Sequence, residues 1–149
     1  MTTPDAGATA FFSADHRACD DSWASLEESA AQSDAAVSRA SWERFDRGMR
    51  RHFAMEEEVL FPAIEQATGM FNTGPVAVMR HEHTQMRALL DEMGQRAKAG
   101  DFEGLLDQGD TLHLLIQQHN AKEEGILYPL ADRALKAGWA ELAAKLKAY

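Results

Sequence analysis

The chain holds a single cysteine, Cys19, so it cannot form an internal disulfide or a thiolate cluster for copper(I) or iron–sulfur chemistry. Basic residues are also scarce, with 15 Lys and Arg against 24 Asp and Glu. The resulting net charge of −9 and pI near 5.0 repel phosphate backbones and anionic lipid, so neither nucleic acid nor a membrane is an expected partner. No apolar run approaches the roughly 20 residues that span a bilayer. The first ten residues have neither the basic nor the apolar region of a secretory leader, and a cytoplasmic location is expected. The period-2 alternation of half-buried strands is almost absent.

What remains reads at helical period. At 149 residues and 45% hydrophobic content, the chain is long enough for one domain with a substantial core. Residues 1–10 are expected to be an extended arm and residues 11–149 the domain. Helix one should run from about Phe11 to Gln32, with Phe12, His16, Cys19, Trp23 and Leu26 on one stripe. Asp34 should cap helix two, which continues to about Ala67 and buries Trp42, Phe45, Met49, His52, Glu56, Leu60 and Ala63. Pro75 opens helix three, whose stripe is Val76, Met79, His83, Met86, Leu90 and Met93. Asp101 caps helix four, with Leu105, Leu112, Ile116, His119, Glu123, Ile126 and Leu130 inward. Pro62 and Pro129 should kink or end their helices, and a short helix should close the chain after Gly138.

The segment His52-Phe53-Ala54-Met55-Glu56-Glu57-Glu58-Val59-Leu60-Phe61-Pro62 recurs as His119-Asn120-Ala121-Lys122-Glu123-Glu124-Gly125-Ile126-Leu127-Tyr128-Pro129. The offset is 119 − 52 = 67 residues, and His16 and His83 share it, since 83 − 16 = 67. The same shift maps Phe12 to Met79, Trp23 to Leu90, Asp34 to Asp101 and Phe45 to Leu112, so core falls on core and cap on cap. A helical hairpin therefore occurs twice. Two packed hairpins make an all-α, up-down-up-down four-helix bundle with a short C-terminal helix.

A histidine and a glutamate four apart lie one turn from each other on the same helix face. His52/Glu56 and His119/Glu123 can thus both point toward the bundle axis, on stripes that are otherwise apolar. An unpaired carboxylate there is costly, and a bound cation removes the penalty. Each half adds one more histidine at equal spacing, since 52 − 16 = 36 and 119 − 83 = 36. Residues two apart on a helix point about 200° from each other. Of His81 and His83, only His83 shares the Met79, Met86 and Leu90 stripe, so His81 is assigned to the surface or to a place behind the ligands. The candidate metal ligands are His16, His52, Glu56, His83, His119 and Glu123. Imidazole and carboxylate donors suit iron, manganese or zinc, and six exceed the needs of one tetrahedral zinc.

These motifs, a histidine followed by HxxxE with an LFP-type tail and then all of it again, resemble the hemerythrin-like, or HHE cation-binding, family from about Phe11 to Pro129. The resemblance implies two non-haem iron ions with an oxo or hydroxo bridge. It makes Glu56 and Glu123 bridging ligands, with His16 and His52 on one iron and His83 and His119 on the other. It implies dioxygen, peroxide or nitric oxide as small ligand. The additional helix-three histidine of the oxygen carriers has no counterpart, because Met79 and Arg87 occupy the positions where it would stand. The six-ligand set is similar to di-iron proteins of the nitric-oxide and iron–sulfur stress response, as is Gly74-Pro75-Val76-Ala77-Val78-Met79 leading into Glu82-His83. Oxygen binding, redox turnover (peroxide disproportionation or stress repair) and iron sensing or storage all remain open readings. Around the ligands, Asp15 and Glu82 are expected to face solvent or cap neighbours, and Glu57 and Glu124 to lie at the surface or hydrogen-bond an imidazole. Cys19 is expected as a small core residue one turn from His16, Tyr128 as a packing residue whose hydroxyl could also donate to bound dioxygen or peroxide, and His113 as exposed.

Overall fold

The computed structural model describes residues 6–32 and 34–149, and no strand occurs among them. α1 spans Ala8–Ala31 and α2 Ala35–Met55. A π-helical turn, Glu56–Leu60, then leads without a break into α3, Phe61–Thr68. The second half repeats the plan: α4 Gly74–Lys98, α5 Phe102–Lys122, a π turn Glu123–Leu127 and α6 Tyr128–Ala134. A 3₁₀ turn at Lys136–Gly138 precedes α7, Trp139–Leu146. The molecule is an all-α bundle in which α1 pairs with α2 and α4 with α5. No helix of the described residues is long and apolar enough to cross a membrane.

Both expected caps form. The Asp34 carboxylate accepts from the Val37 amide at 3.1 Å, and Asp101 accepts from Gly104 at 2.9 Å. Each satisfies an amide that a helix start otherwise leaves open. Gly100 turns the chain out of α4 at φ 75°, a left-handed conformation that costs glycine little. α1 starts at Ala8, earlier than expected, and its first turn is tied across the bundle where the Thr9 amide donates to Asp132 at 3.2 Å. Residues 8–10 are thus helix, and residues 1–5 of the expected arm lie outside the described residues.

The two prolines neither end nor break the helices. Proline cannot donate to the carbonyl four residues back, and its ring crowds that carbonyl. The turn before it widens instead, so that Phe61 N–H reaches the Glu56 carbonyl and Tyr128 N–H reaches that of Glu123. Each widened turn advances the following helix by one residue, about 100°. The expected core positions Ala63, Ile126 and Leu130 therefore give way to Ile64, Leu127 and Ala131. Ile126 is 58% exposed, whereas Leu127 is 1%.

The core is divided. One cluster, with Phe12, Leu60, Phe61, Ile64, Tyr128 and Trp139, fills the end that α7 covers. The other, with Trp23, Trp42, Phe45, Leu90, Met93 and Leu112, fills the opposite end. Gly109 belongs to this second end, because a Cβ there would collide with the Trp23 indole. A polar layer lies between the two clusters.

Candidate metal centre

The layer consists of His16 from α1, His52 from α2, His83 from α4, His119 from α5, and Glu56 and Glu123 from the two π turns. All six are buried, and both glutamates are fully enclosed. His52 Nε2 lies 3.1 Å from Glu56 Oε1, and His83 Nε2 lies 3.2 Å from the same oxygen. Glu123 Oε1 is 3.0 Å from His16 Nε2 and 3.3 Å from His119 Nε2. Each carboxylate thus meets imidazoles from both hairpins. The six positions expected from the repeat come together, and His81 is exposed on the outer face of α4.

Behind every inward Nε2, the Nδ1–H of the same ring donates to an outer carboxylate. His52 donates to Asp15 at 2.7 Å, His119 to Glu82 at 2.9 Å, His83 to Glu57 at 2.7 Å and His16 to Glu124 at 3.0 Å. Asp15 and Glu82 were expected to face solvent or cap neighbours, and the structure turns them to imidazoles instead. Glu57 and Glu124 take the imidazole hydrogen bond that was one of their two expected roles, Glu124 while staying 43% exposed. The 67-residue offset already carried the signal, since it maps Asp15 to Glu82 and Glu57 to Glu124. Such partners fix the tautomer, so that Nε2 presents its lone pair inward. Arg87 and Lys122 in turn hold Glu57 and Glu82.

Burial opposes charge throughout this layer, and the neighbours overrule it. Burial alone would lower the His52 value. The Glu56 charge, the hydrogen bond to Asp15 and the nearby Glu123 carboxylate instead raise it well above the ordinary imidazole range. His83 is raised against the same desolvation by the adjacent Glu56 carboxylate and its hydrogen bond to Glu57. The carboxyl of Glu123 is held well below its usual range, despite burial, by hydrogen bonds to Glu56 and to imidazoles.

Even so, polar atoms are left over. His52 Nε2, His83 Nε2, His119 Nε2, Glu56 Oε1 and Glu123 Oε2 are buried with no hydrogen-bond partner. Buried polar atoms left without partners are costly as they stand, and bound cations satisfy them. The donors fall into two groups, Glu56, His83, His119 and Glu123 on one side and His16, His52 and Glu123 on the other. Within each, the atoms lie within 4.8 Å of one another, and the set can hold a metal ion.

Tyr128 is the residue that the repeat does not reproduce, for its counterpart is Phe61. Its hydroxyl lies 2.8 Å from Glu56 Oε2, 2.8 Å from Glu123 Oε1 and 3.1 Å from His16 Nε2. It packs in the core, as expected, and its hydroxyl also stands inside the polar layer, where it meets the carboxylates themselves. Burial and the two glutamates push its phenol well above the usual range, so it stays protonated and offers one hydrogen bond to two carboxylates. Cys19 is buried as expected, one turn beyond His16. His113 is half-buried, its ring stacked on Trp23 at 6.4 Å, where exposure was expected.

Residues 7–131 match the family model described as Hemerythrin HHE cation binding domain. An iron-sulfur cluster repair protein YtfE of Salmonella typhimurium is 29% identical over 92 residues, covering 54% of this chain and 40% of that protein. The YtfE protein of Edwardsiella ictaluri is 50% identical over 40 residues, 27% of this chain and 18% of its own length. The chain thus aligns with less than half the length of these relatives. No solved structure matches.

Proposed function

Because the chain belongs to the hemerythrin HHE cation-binding family, we propose that its buried histidine–glutamate layer holds two iron ions and binds a small ligand there. The ligand is dioxygen or a related molecule such as peroxide or nitric oxide. The observation that carries this reading is the set of orphaned Nε2 and carboxylate atoms, which fall into two donor groups with Glu123 in both. Each pair of histidines would serve one iron, with Glu56 and Glu123 between them. When bound, iron supplies one-electron redox chemistry and coordination positions that protein donors leave open.

The chain's own groups do the rest. The four outer carboxylates set the direction of the imidazoles, and the apolar clusters on either side keep bulk water away. Tyr128 holds a proton 2.8 Å from both carboxylates, where it can hydrogen-bond to an anionic ligand in the layer. A second reading is a redox enzyme, in peroxide disproportionation or in nitric-oxide and iron–sulfur stress repair, and the YtfE relatives, which are iron–sulfur cluster repair proteins, favour the repair form of it. Sensing or storing iron is the third.

Metal analysis with an absorption spectrum tests the centre. Protein from iron-replete medium should carry about two iron ions per chain, with near-ultraviolet oxo-to-iron charge-transfer bands. One zinc and no iron would sink the proposal. Oxygen evolution from hydrogen peroxide that is lost in Glu56→Ala would favour the enzyme, whereas reversible oxygen uptake by the reduced protein would favour the carrier.

A further inference from the structure

The two halves differ most on the surface outside their histidines. Between α1 and α2 lies an open cleft of about 290 Å³, lined by Cys19, Gly48, Arg44, Arg47 and Arg51, with Asp15 at one side. Shifting these positions by 67 leads to the corresponding place between α4 and α5, where the space is only about 30 Å³. The cause is visible in the side chains. Gly48 becomes Leu115, Cys19 becomes Met86 and Ala18 becomes Gln85, so the second groove is filled. The charge changes as well, because Arg44, Arg47 and Arg51 correspond to Thr111, Leu114 and Gln118.

Two further observations connect the cleft with the metal layer. Beneath it is an enclosed cavity of about 10 Å³ touching His16, His52 and His119, and Cys19 lines both spaces. The Cys19 side chain is therefore the wall between the cleft and the imidazoles. None of the three arginines is held in a hydrogen bond or close ion pair among the described residues. Of the acids nearby, Asp15 already accepts from His52, and Asp20 stands near Cys19. Three guanidinium groups outside any close ion pair line a cleft whose one lining carboxylate, Asp15, is already bound to His52, so on a chain of net charge −9 they make a positive mouth. Such a concave mouth concentrates anions against the field of the rest of the surface.

We infer that this cleft is the access route by which a small inorganic monoanion reaches the His16/His52 end of the centre, with the Cys19 side chain as its inner gate. The inference deepens the metal reading by making the two ends unequal. The end that has the cleft also has Tyr128 within reach of His16, while the His83/His119 end is closed by Leu115 and Met86. The chemical class is one compact charge of azide, nitrite or superoxide size, which bidentate or multiple guanidinium contacts suit.

The first test needs no metal. Cys19 is the sole thiol, so its modification by an anionic (sulfonatoethyl) and a cationic (trimethylammonioethyl) methanethiosulfonate can be followed by mass. Burial pushes its thiol up to about 11, which slows both reagents alike, and the ratio of rates is what is read. Relative to the ratio for free cysteine, the anionic reagent should gain about tenfold. That gain should vanish in the Arg44→Gln/Arg47→Gln/Arg51→Gln variant, whose substitutions are all exposed. An unchanged ratio, a gain that survives the triple variant, or no labelling by either reagent would each overturn the inference.

The second test uses the iron-loaded protein with azide as probe. Gly48→Leu, which copies the closed half, should slow azide association about tenfold at unchanged metal content. Wild-type association in that variant would count against the route. Protein that holds no iron would defeat the metal reading alone and leave the thiol result standing.

Discussion

His81 and His83 are two residues apart on one helix, yet only one is inside. His83→Ala should lose metal on purification while His81→Ala retains it, as read by metal content per chain, and the opposite result would overturn the ligand set. Glu57→Gln keeps the shape of the acid that holds His83 but removes its charge, and should weaken metal binding about 10–100-fold. The raised His52 and His83 values have a consequence for the metal-free protein. Their protonated forms stabilise the fold fully below the unfolded value of about 6.5, and that contribution is lost as pH rises through the folded values. The depressed Glu123 contributes in the opposite sense, above about 4.5, so it is constant across this window. Metal-free protein should therefore melt at a lower temperature at pH 9 than at pH 7. Metal loading should release protons and stabilise more at the higher pH. Calorimetry with and without metal at the two values checks the sign.

The helices themselves were largely legible, because periodic stripes, two aspartate caps and the recurrence of caps, core positions and ligands after 67 residues all agree. The four outer acids were legible only in part, Glu57 and Glu124 as one of two roles and Asp15 and Glu82 not at all. A polar residue one step off the inward stripe looks the same whether it meets water or an imidazole from another helix. The π turn was not legible, for hydrophobic periodicity assumes a constant twist. The repeat could have corrected the phase: Leu60, placed inward, maps to Leu127, whereas Ile126 maps to Val59. The two residues now provide a direct comparison. Leu127→Ala should cost about 2–5 kcal/mol by emptying part of the core, and Ile126→Ala less than about 0.5 kcal/mol. Denaturant unfolding of both variants measures it. Equal costs would mean that α6 keeps the unshifted phase.

The carboxylates that orient the imidazoles distribute themselves over the whole molecule in a particular way. Asp15 and Glu82 serve a histidine of their own hairpin, but Glu57 serves His83 and Glu124 serves His16, each in the other hairpin. Glu56 likewise reaches His83, and Glu123 reaches His16. Neither hairpin alone can complete a donor group. If the chain is cut in the loop at residues 69–73 and the halves are co-expressed, they should associate when metal is present and separate on chelation, as light scattering would show. The stabilisation by bound metal grows with its concentration over the dissociation constant, about 2.7 kcal/mol at a hundredfold excess. Halves that stay together without metal would show that the apolar clusters suffice. The crossed pairs also mean that a change in one half cannot be absorbed there. Each hairpin carries half of its neighbour's chemistry, and the two copies agree at the six ligands and their four outer acids. They part company inside the layer only at Tyr128 against Phe61, and outside it at the arginine mouth on one side and the sealed groove on the other.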